Sequence, residues 1–263
     1  MITGVATLWV VSGGLVLGSF IALVIARSSA LLKTGNTPAQ RFPLLWPASH
    51  CPHCDTRLRW AELIPLLSAL YLQGRCRTCQ HPFGWRDTAV ELSTLLITLC
   101  WASTGAAWPW LIFFAWLLAL AWIDAQTQLL PDALTLSLLW FGLLCAALGW
   151  LPMSASSSII GALIGYLSFW CVLQGDWLLR RRDGLGRGDL KLMAALGAWL
   201  GVFALPWVVL LGALSALLSI LIRGWYRRHE PIAFGPALVF GATLYWLYTI
   251  GFEMGDQWPL LWV

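Results

Sequence analysis

Charge is scarce in this chain. Of its 263 residues only 12 are Asp or Glu and 16 are Lys or Arg, so charged residues make up 11% against 59% hydrophobic. That balance excludes both a soluble domain with an ordinary polar surface and a disordered chain. No long internal repeat or low-complexity tract is present, which excludes repeat architectures. The first apolar block has no basic n-region ahead of it and a basic loop behind it, so it is expected to stay as an anchor and not be cleaved as a signal peptide. The Gly-rich element around Gly186 and Gly188 has no preceding strand pattern and no following Lys-Ser or Lys-Thr, which argues against a phosphate-binding loop.

The hydrophobic residues fall in long blocks at 5–26, 88–104, 107–123, 133–151, 158–179, 190–204, 206–222 and 232–252. Such blocks predict an all-α polytopic membrane protein with about eight transmembrane helices. A cytoplasmic loop separates the first two. The expected organisation is a first transmembrane helix at 1–26, a loop region at 27–87 and a multi-helix membrane region at 88–263. Eight of the sixteen basic residues lie between Arg27 and Arg86, five between Arg180 and Lys191, and the rest are Arg223, Arg227 and Arg228. With eight helices all sixteen share one face, which the positive-inside rule makes cytoplasmic. Both termini are then periplasmic.

The connections around Gly105, Pro152 and Ala204-Leu205-Pro206 are short and uncharged, as the opposite face requires. Many of the 19 Trp residues, among them Trp101, Trp108, Trp150 and Trp258, lie near block ends and suit interfacial belts. The net charge of +4 fits a face resting on anionic membrane lipid and gives no reason to invoke nucleic acid.

The 27–87 loop carries Cys51-Pro52-His53-Cys54 and, 21 residues on, Cys76-Arg77-Thr78-Cys79. Two Cys-x-x-Cys knuckles at this separation form the pattern of a tetrahedral Zn²⁺ site, because the two-residue spacer brings both sulfurs of a knuckle to one ion. A disulfide framework is the alternative, but the reducing cytoplasm disfavours it. Four thiolates leave no open coordination position, so the metal is expected to fold the loop without doing chemistry. His50, His53 and His81 flank the knuckles as solvated loop residues. The apolar run 63–72 with Pro65 is a docking surface too short to span a bilayer. Cys100, Cys145 and Cys171 fall inside apolar blocks and are expected to pack there.

Two acids stand out. Asp124 closes the third block, and Gly186-Arg187-Gly188-Asp189 opens the sixth. A carboxylate at the edge of lipid is costly and functional by default, and helix parity puts both on the cytoplasmic side. Close together, one would be ionised and the other protonated, the arrangement needed to activate water against a carbonyl. Alternatively each caps a helix, pairs with Arg187 or Lys191, or serves an ion path. Asp132, in a Pro-Asp setting that also suits a helix N-cap, rivals Asp124. Glu91 lies near the cytoplasmic end of the second block, beside Arg86 or in a second site.

Taken together these residues resemble the bifunctional type IV prepilin peptidases, membrane aspartyl proteases of the Gly-x-Gly-Asp type. The resemblance rests on Gly18-Ser19-Phe20 with Arg27, both knuckles, Asp124 to Asp132, Gly184 to Gly197 with Lys191, and Phe234-Gly235-Pro236. It implies that Asp124 and Asp189 are catalytic, with Gly186, Gly188, Asp132 and Lys191 supporting them or the substrate. It implies cleavage of a basic leader from prepilins of type IV pili, or pseudopilins of type II secretion, at the inner membrane. It further implies N-methylation of the new terminus with S-adenosylmethionine, an activity associated with the cysteine loop region. Glu91 and Arg27 are the candidate cofactor contacts. Ala22 stands where the family often has Asn, a departure that bears on methyl transfer. The alternatives are a peptidase without methyl transfer and, from another class, a transporter using its acids as a relay.

Overall fold

The computed structural model describes residues 4–33, 51, 53–57, 72, 75–81, 85–180, 186–223 and 233–253. His50, Glu62, Pro65, Asp183, Gly184, Pro231 and Trp258, and the apolar run up to residue 71, lie outside them. Among the described residues the chain forms eight helices: α1 (Gly4–Lys33), α2 (Trp85–Thr104), α3 (Trp108–Thr127), α4 (Asp132–Ala147), α5 (Ala155–Arg180), α6 (Arg187–Leu200), α7 (Ala204–Arg223) and α8 (Gly235–Glu253). Each apolar block has its helix. Four of them, over Leu8–Leu32, Trp108–Thr127, Ala155–Leu178 and Ala204–Ile222, are long and apolar enough to cross a membrane. The expected count of eight spans is therefore not reached on length and composition. At 1.5 Å per residue, the 16 residues of α4 and 14 of α6 fall short of a hydrocarbon core about 30 Å thick.

Two compact units divide inside α3, at Ala119 and Leu120. In the first, α1 and α2 pack antiparallel through a glycine seam. A Cβ on Gly14 would lie 3.0 Å from the Thr98 side chain, and one on Gly18 would lie 3.2 Å from the Glu91 Cα. Thr94 and Thr98 are buried, and each hydroxyl donates 2.8 Å back to its own helix, at the Val90 and Thr94 carbonyls. Polar side chains thus enter the seam without orphaned hydroxyls. Trp110, Phe113 and Phe114 of α3 form a cluster with ring centroids 5.1 to 6.5 Å apart, in which Phe113 meets both others edge-to-face and Trp110 stacks on Phe114.

The second unit is built around α6. From Asp189 to Leu200 every residue but Lys191 is buried, the signature of a helix enclosed on all sides. α5 reaches it through glycines: a Cβ on Gly161 would collide with the Gly197 carbonyl, one on Gly197 with the Gly161 carbonyl, and one on Gly165 with the Met193 carbonyl. Ser158 donates 2.6 Å to the Ala198 carbonyl across the same contact. On the α4 side Trp199 is fully buried over Gly142, and its indole N–H donates 2.9 Å to the Leu138 carbonyl. α7 and α8 pair through Gly212 and Gly241. Ile159, Leu163, Leu214, Leu217 and Leu221 face outward, a surface suited to lipid.

The turn between α6 and α7 lies at Gly201, φ 79°, one turn earlier than expected, and Pro206 sits in the first turn of α7, where its missing N–H costs nothing. Cys145 is buried, as expected of a packing residue, but Cys100 and Cys171 are exposed on the outward faces of their helices. Because the Gly161–Gly197 contact is backbone on backbone, Gly197→Ala is expected to destabilise the protein by about 3 kcal/mol. A thermal midpoint equal to the parent's in the same detergent would contradict this packing.

Candidate active site and metal centre

The four loop cysteines converge. All four sulfurs lie within 4.8 Å of one another, with Cys51 to Cys79 and Cys54 to Cys76 each at 3.8 Å. Zinc–sulfur bonds of about 2.3 Å in a tetrahedron place sulfurs about 3.8 Å apart, so the cluster has the dimensions of a Zn²⁺ site. The two knuckles share one backbone design. Cys51 N–H donates to Thr56 O and Asp55 N–H to Cys51 O, while Cys76 N–H donates to His81 O and Gln80 N–H to Cys76 O. Asp55 and Gln80, at equivalent positions, both take positive φ, 53° and 56°.

The thiols of the cluster influence one another's protonation. The Thr56 hydroxyl 3.2 Å from Cys54 Sγ, with the Thr56 backbone, holds that thiol down to about 6. Cys79, despite a favourable backbone hydrogen bond at His81, is pushed up to about 12 by desolvation and its neighbouring sulfurs. Four thiolates cannot coexist without a positive ion between them. His53 and His81 are exposed and stack on each other, centroids 4.6 Å apart, as loop residues and not as ligands.

The acids are placed by helix ends. α3 runs to Thr127, so Asp124 sits within its last turn, one turn deeper than the block edge suggested. Gln128, φ 55°, stops the helix by donating its N–H 2.8 Å to the Asp124 carbonyl, and Thr127 accepts the Leu129 N–H. Asp124 is 5% exposed, and its Oδ2 accepts the Gly235 N–H at 2.9 Å from the start of α8. Asp189 is the third residue of α6, 8% exposed, and its carboxyl accepts a backbone hydrogen bond from Gly186 at the N-cap. This is the reach-back half of a capping box.

The two carboxyl groups are near enough to act on each other electrostatically. Residues 65 apart in sequence, 124 and 189, thus come within electrostatic reach of each other in one unit. Leu130 closes the gap: a Cβ on Gly188 would lie 2.8 Å from the Leu130 Cβ, so the chain leaving α3 lies directly on the first turn of α6.

The other candidates separate. Lys191 pairs with Asp132 and not with Asp189. Asp132 is 62% exposed and is the first residue of α4, with Pro131 at the N-cap and no side-chain cap. An exposed acid already matched to a lysine is a poorer proton carrier than a buried one facing a second acid. Glu91 is half-buried at the level of Gly18, about 13 Å along α1 from Arg27, which is also half-buried. Gly235 had drawn notice only as part of a motif. A Gly-Pro pair opening an apolar block was its signal, since such pairs mark helix starts, but its partner is 111 residues away.

The type IV leader peptidase family matches residues 111–222, and the bacterial N-terminal domain of the same peptidase group matches 13–104. A prepilin leader peptidase/N-methyltransferase of Dickeya chrysanthemi is 42% identical over 254 residues, 88% of each chain. One of Burkholderia pseudomallei strain K96243 is 42% identical over 267 residues, 92% of this chain and 86% of the relative. The type 4 prepilin-like proteins leader peptide-processing enzyme of Escherichia coli O78:H11 is 38% identical over 247 residues, 89% and 91%. No solved structure matches the chain. Two matched regions that together hold the cysteine cluster, Asp124 and Asp189, and relatives at this identity over most of the length, establish that the chain belongs to the type IV leader peptidase family.

Proposed function

We propose that this membrane protein is a prepilin leader peptidase and N-methyltransferase whose peptidase chemistry is carried by Asp124 and Asp189. It cleaves the leader from prepilins or type II secretion pseudopilins at the cytoplasmic face of the inner membrane, then methylates the new N-terminus. The observation that carries the reading is two buried carboxyl groups within electrostatic reach of each other, each tied through one glycine amide at a helix start. In the step this supports, the ionised acid takes a proton from water and the protonated acid gives its own to the scissile carbonyl oxygen. The tetrahedral intermediate then collapses as a proton passes to the departing amine. Gly186 is exposed and carries no side chain, so an extended peptide approaches closely there, while Gly188 gives its space to Leu130.

On this reading the positive face is cytoplasmic, both termini are periplasmic, and the eight helices serve as a spanning bundle. The connection between α1 and α2 with its Cys51, Cys54, Cys76 and Cys79 cluster is a structural zinc region. S-adenosylmethionine, when bound, supplies an electrophilic methyl group. The cofactor's carboxylate suits Arg27, and next to it Ser28 and Ser29 are buried with hydroxyls that make no hydrogen bond among the described residues. Those hydroxyls fit a polar ligand better than a closed core.

A second reading, a peptidase without methyl transfer, is favoured by Ala22, which is buried in α1 with no polar side chain to offer. The mass spectrum of a prepilin processed by purified protein with S-adenosylmethionine decides between them. The expected product lacks the leader and carries one methyl group. An uncleaved substrate would refute the peptidase, and a cleaved, unmethylated product would refute the transferase.

A further inference from the structure

We infer that Gly235 is the positioning residue that aims Asp124, and that its bare Cα is as necessary as its amide. The inference rests on the peptidase reading of Asp124 and adds to it a group that touches neither peptide nor water. Gly235 N–H donates 2.9 Å to Asp124 Oδ2 in a buried setting. It comes from the first residue of α8, a helix start whose N–H groups have no partner within the helix. Pro236 follows and has no N–H, so Gly235 is the leading donor of that turn. The helix dipole points its positive end the same way. With Oδ2 engaged, the second carboxylate oxygen is left for proton transfer.

The donor itself is held firmly. Phe234 rests against Phe169 of α5, ring centroids 6.3 Å apart. Leu238 N–H donates 3.1 Å to the Phe234 carbonyl and closes the first turn of α8. Further along, Gly241 seats α8 on the Val208 carbonyl of α7. An amide fixed from three sides orients a carboxylate without reorganisation during the reaction, the condition under which a single hydrogen bond matters most.

The space at the Cα sets a second condition. A Cβ on Gly235 would lie 2.6 Å from Asp124 Oδ2, 3.1 Å from its Cγ and 3.3 Å from its Cβ. The three atoms nearest to it all belong to Asp124. The cheapest relief is therefore rotation of that carboxyl group, not movement of α8. Gly235→Ala is expected to leave the helix in place and to turn the acid away from its working direction.

Gly241→Ala is the control. Its Cβ meets only backbone of α7, so it disturbs the seating of the same helix without touching Asp124. For Gly235→Ala, kcat on a prepilin is expected to fall about 100-fold, the usual effect of losing one preorganised donor, with KM and the thermal midpoint unchanged. Gly241→Ala is expected to lower the thermal midpoint. Amide exchange supplies a measurement that needs no Gly235 variant: in Asp124→Ala the Gly235 N–H is expected to exchange faster while Leu238 and the rest of α8 keep their protection.

A Gly235→Ala protein with the parent's kcat, or one that loses kcat only together with its thermal midpoint as Gly241→Ala does, overturns the inference. So does unchanged exchange at Gly235. A parent protein that cleaves no prepilin would instead refute the peptidase reading, so the two failures are distinguishable.

Discussion

Asp124→Asn and Asp189→Asn are each expected to lower kcat for prepilin cleavage about 10⁴-fold, the upper range for loss of a positioned acid or base, while the thermal midpoint stays near the parent value. The amide is almost isosteric with the carboxyl group. In Asp124→Asn the side chain keeps an oxygen for the Gly235 N–H, and in Asp189→Asn it keeps one for Gly186, so both helix ends retain their ties. What is lost is proton exchange. If the two acids act on one water as proposed, the double variant is expected to be no slower than the worse single one. Asp132→Asn provides the contrast: Asp132 is 62% exposed and paired to Lys191, so its loss removes a surface ion pair worth about 1 kcal/mol or less. Its kcat is expected to fall less than tenfold. Full cleavage by Asp124→Asn or Asp189→Asn removes that residue from the mechanism, and a 10⁴-fold loss in Asp132→Asn, as large as that expected for a positioned acid, transfers the role to Asp132.

Loss of the metal is the second large effect. Purified protein is expected to contain one zinc per chain by metal analysis. Cys51→Ser or Cys76→Ser, at the two buried ligands, is expected to release it and unfold the knuckles. Binding energies of about 10 kcal/mol or more for structural zinc are folding energies for the knuckles that hold it. Methyl transfer should be lost. Cleavage should be reduced far less, because Asp124, Asp189 and Gly235 all belong to the unit from Leu120 to Val263, which has its own core around α6. Retention of both activities by a zinc-free variant would show that the loop serves neither.

The knuckles were legible in the sequence because their geometry is local. A Cys-x-x-Cys spacing fixes two sulfurs within one turn, and only the joining of two such turns needed the fold. Helix existence was legible for the same reason: a run of apolar residues forms a helix wherever its backbone must satisfy itself. Helix ends were not, since Gln128 at positive φ and Gly201 stop their helices through backbone bonds that hydropathy does not register.

By itself the sequence determined the chemistry on offer: two uncommon acids at block edges, four thiols in two knuckles, and basic residues gathered in three segments. Only the tertiary structure decided which acid meets which. Lys191 takes Asp132, Leu130 lies on Gly188, and Gly235 reaches Asp124 across 111 residues. Those choices depend on close approaches between helices that are distant in the chain, made where glycines let backbones touch, and no local pattern of residues encodes a distance of that kind.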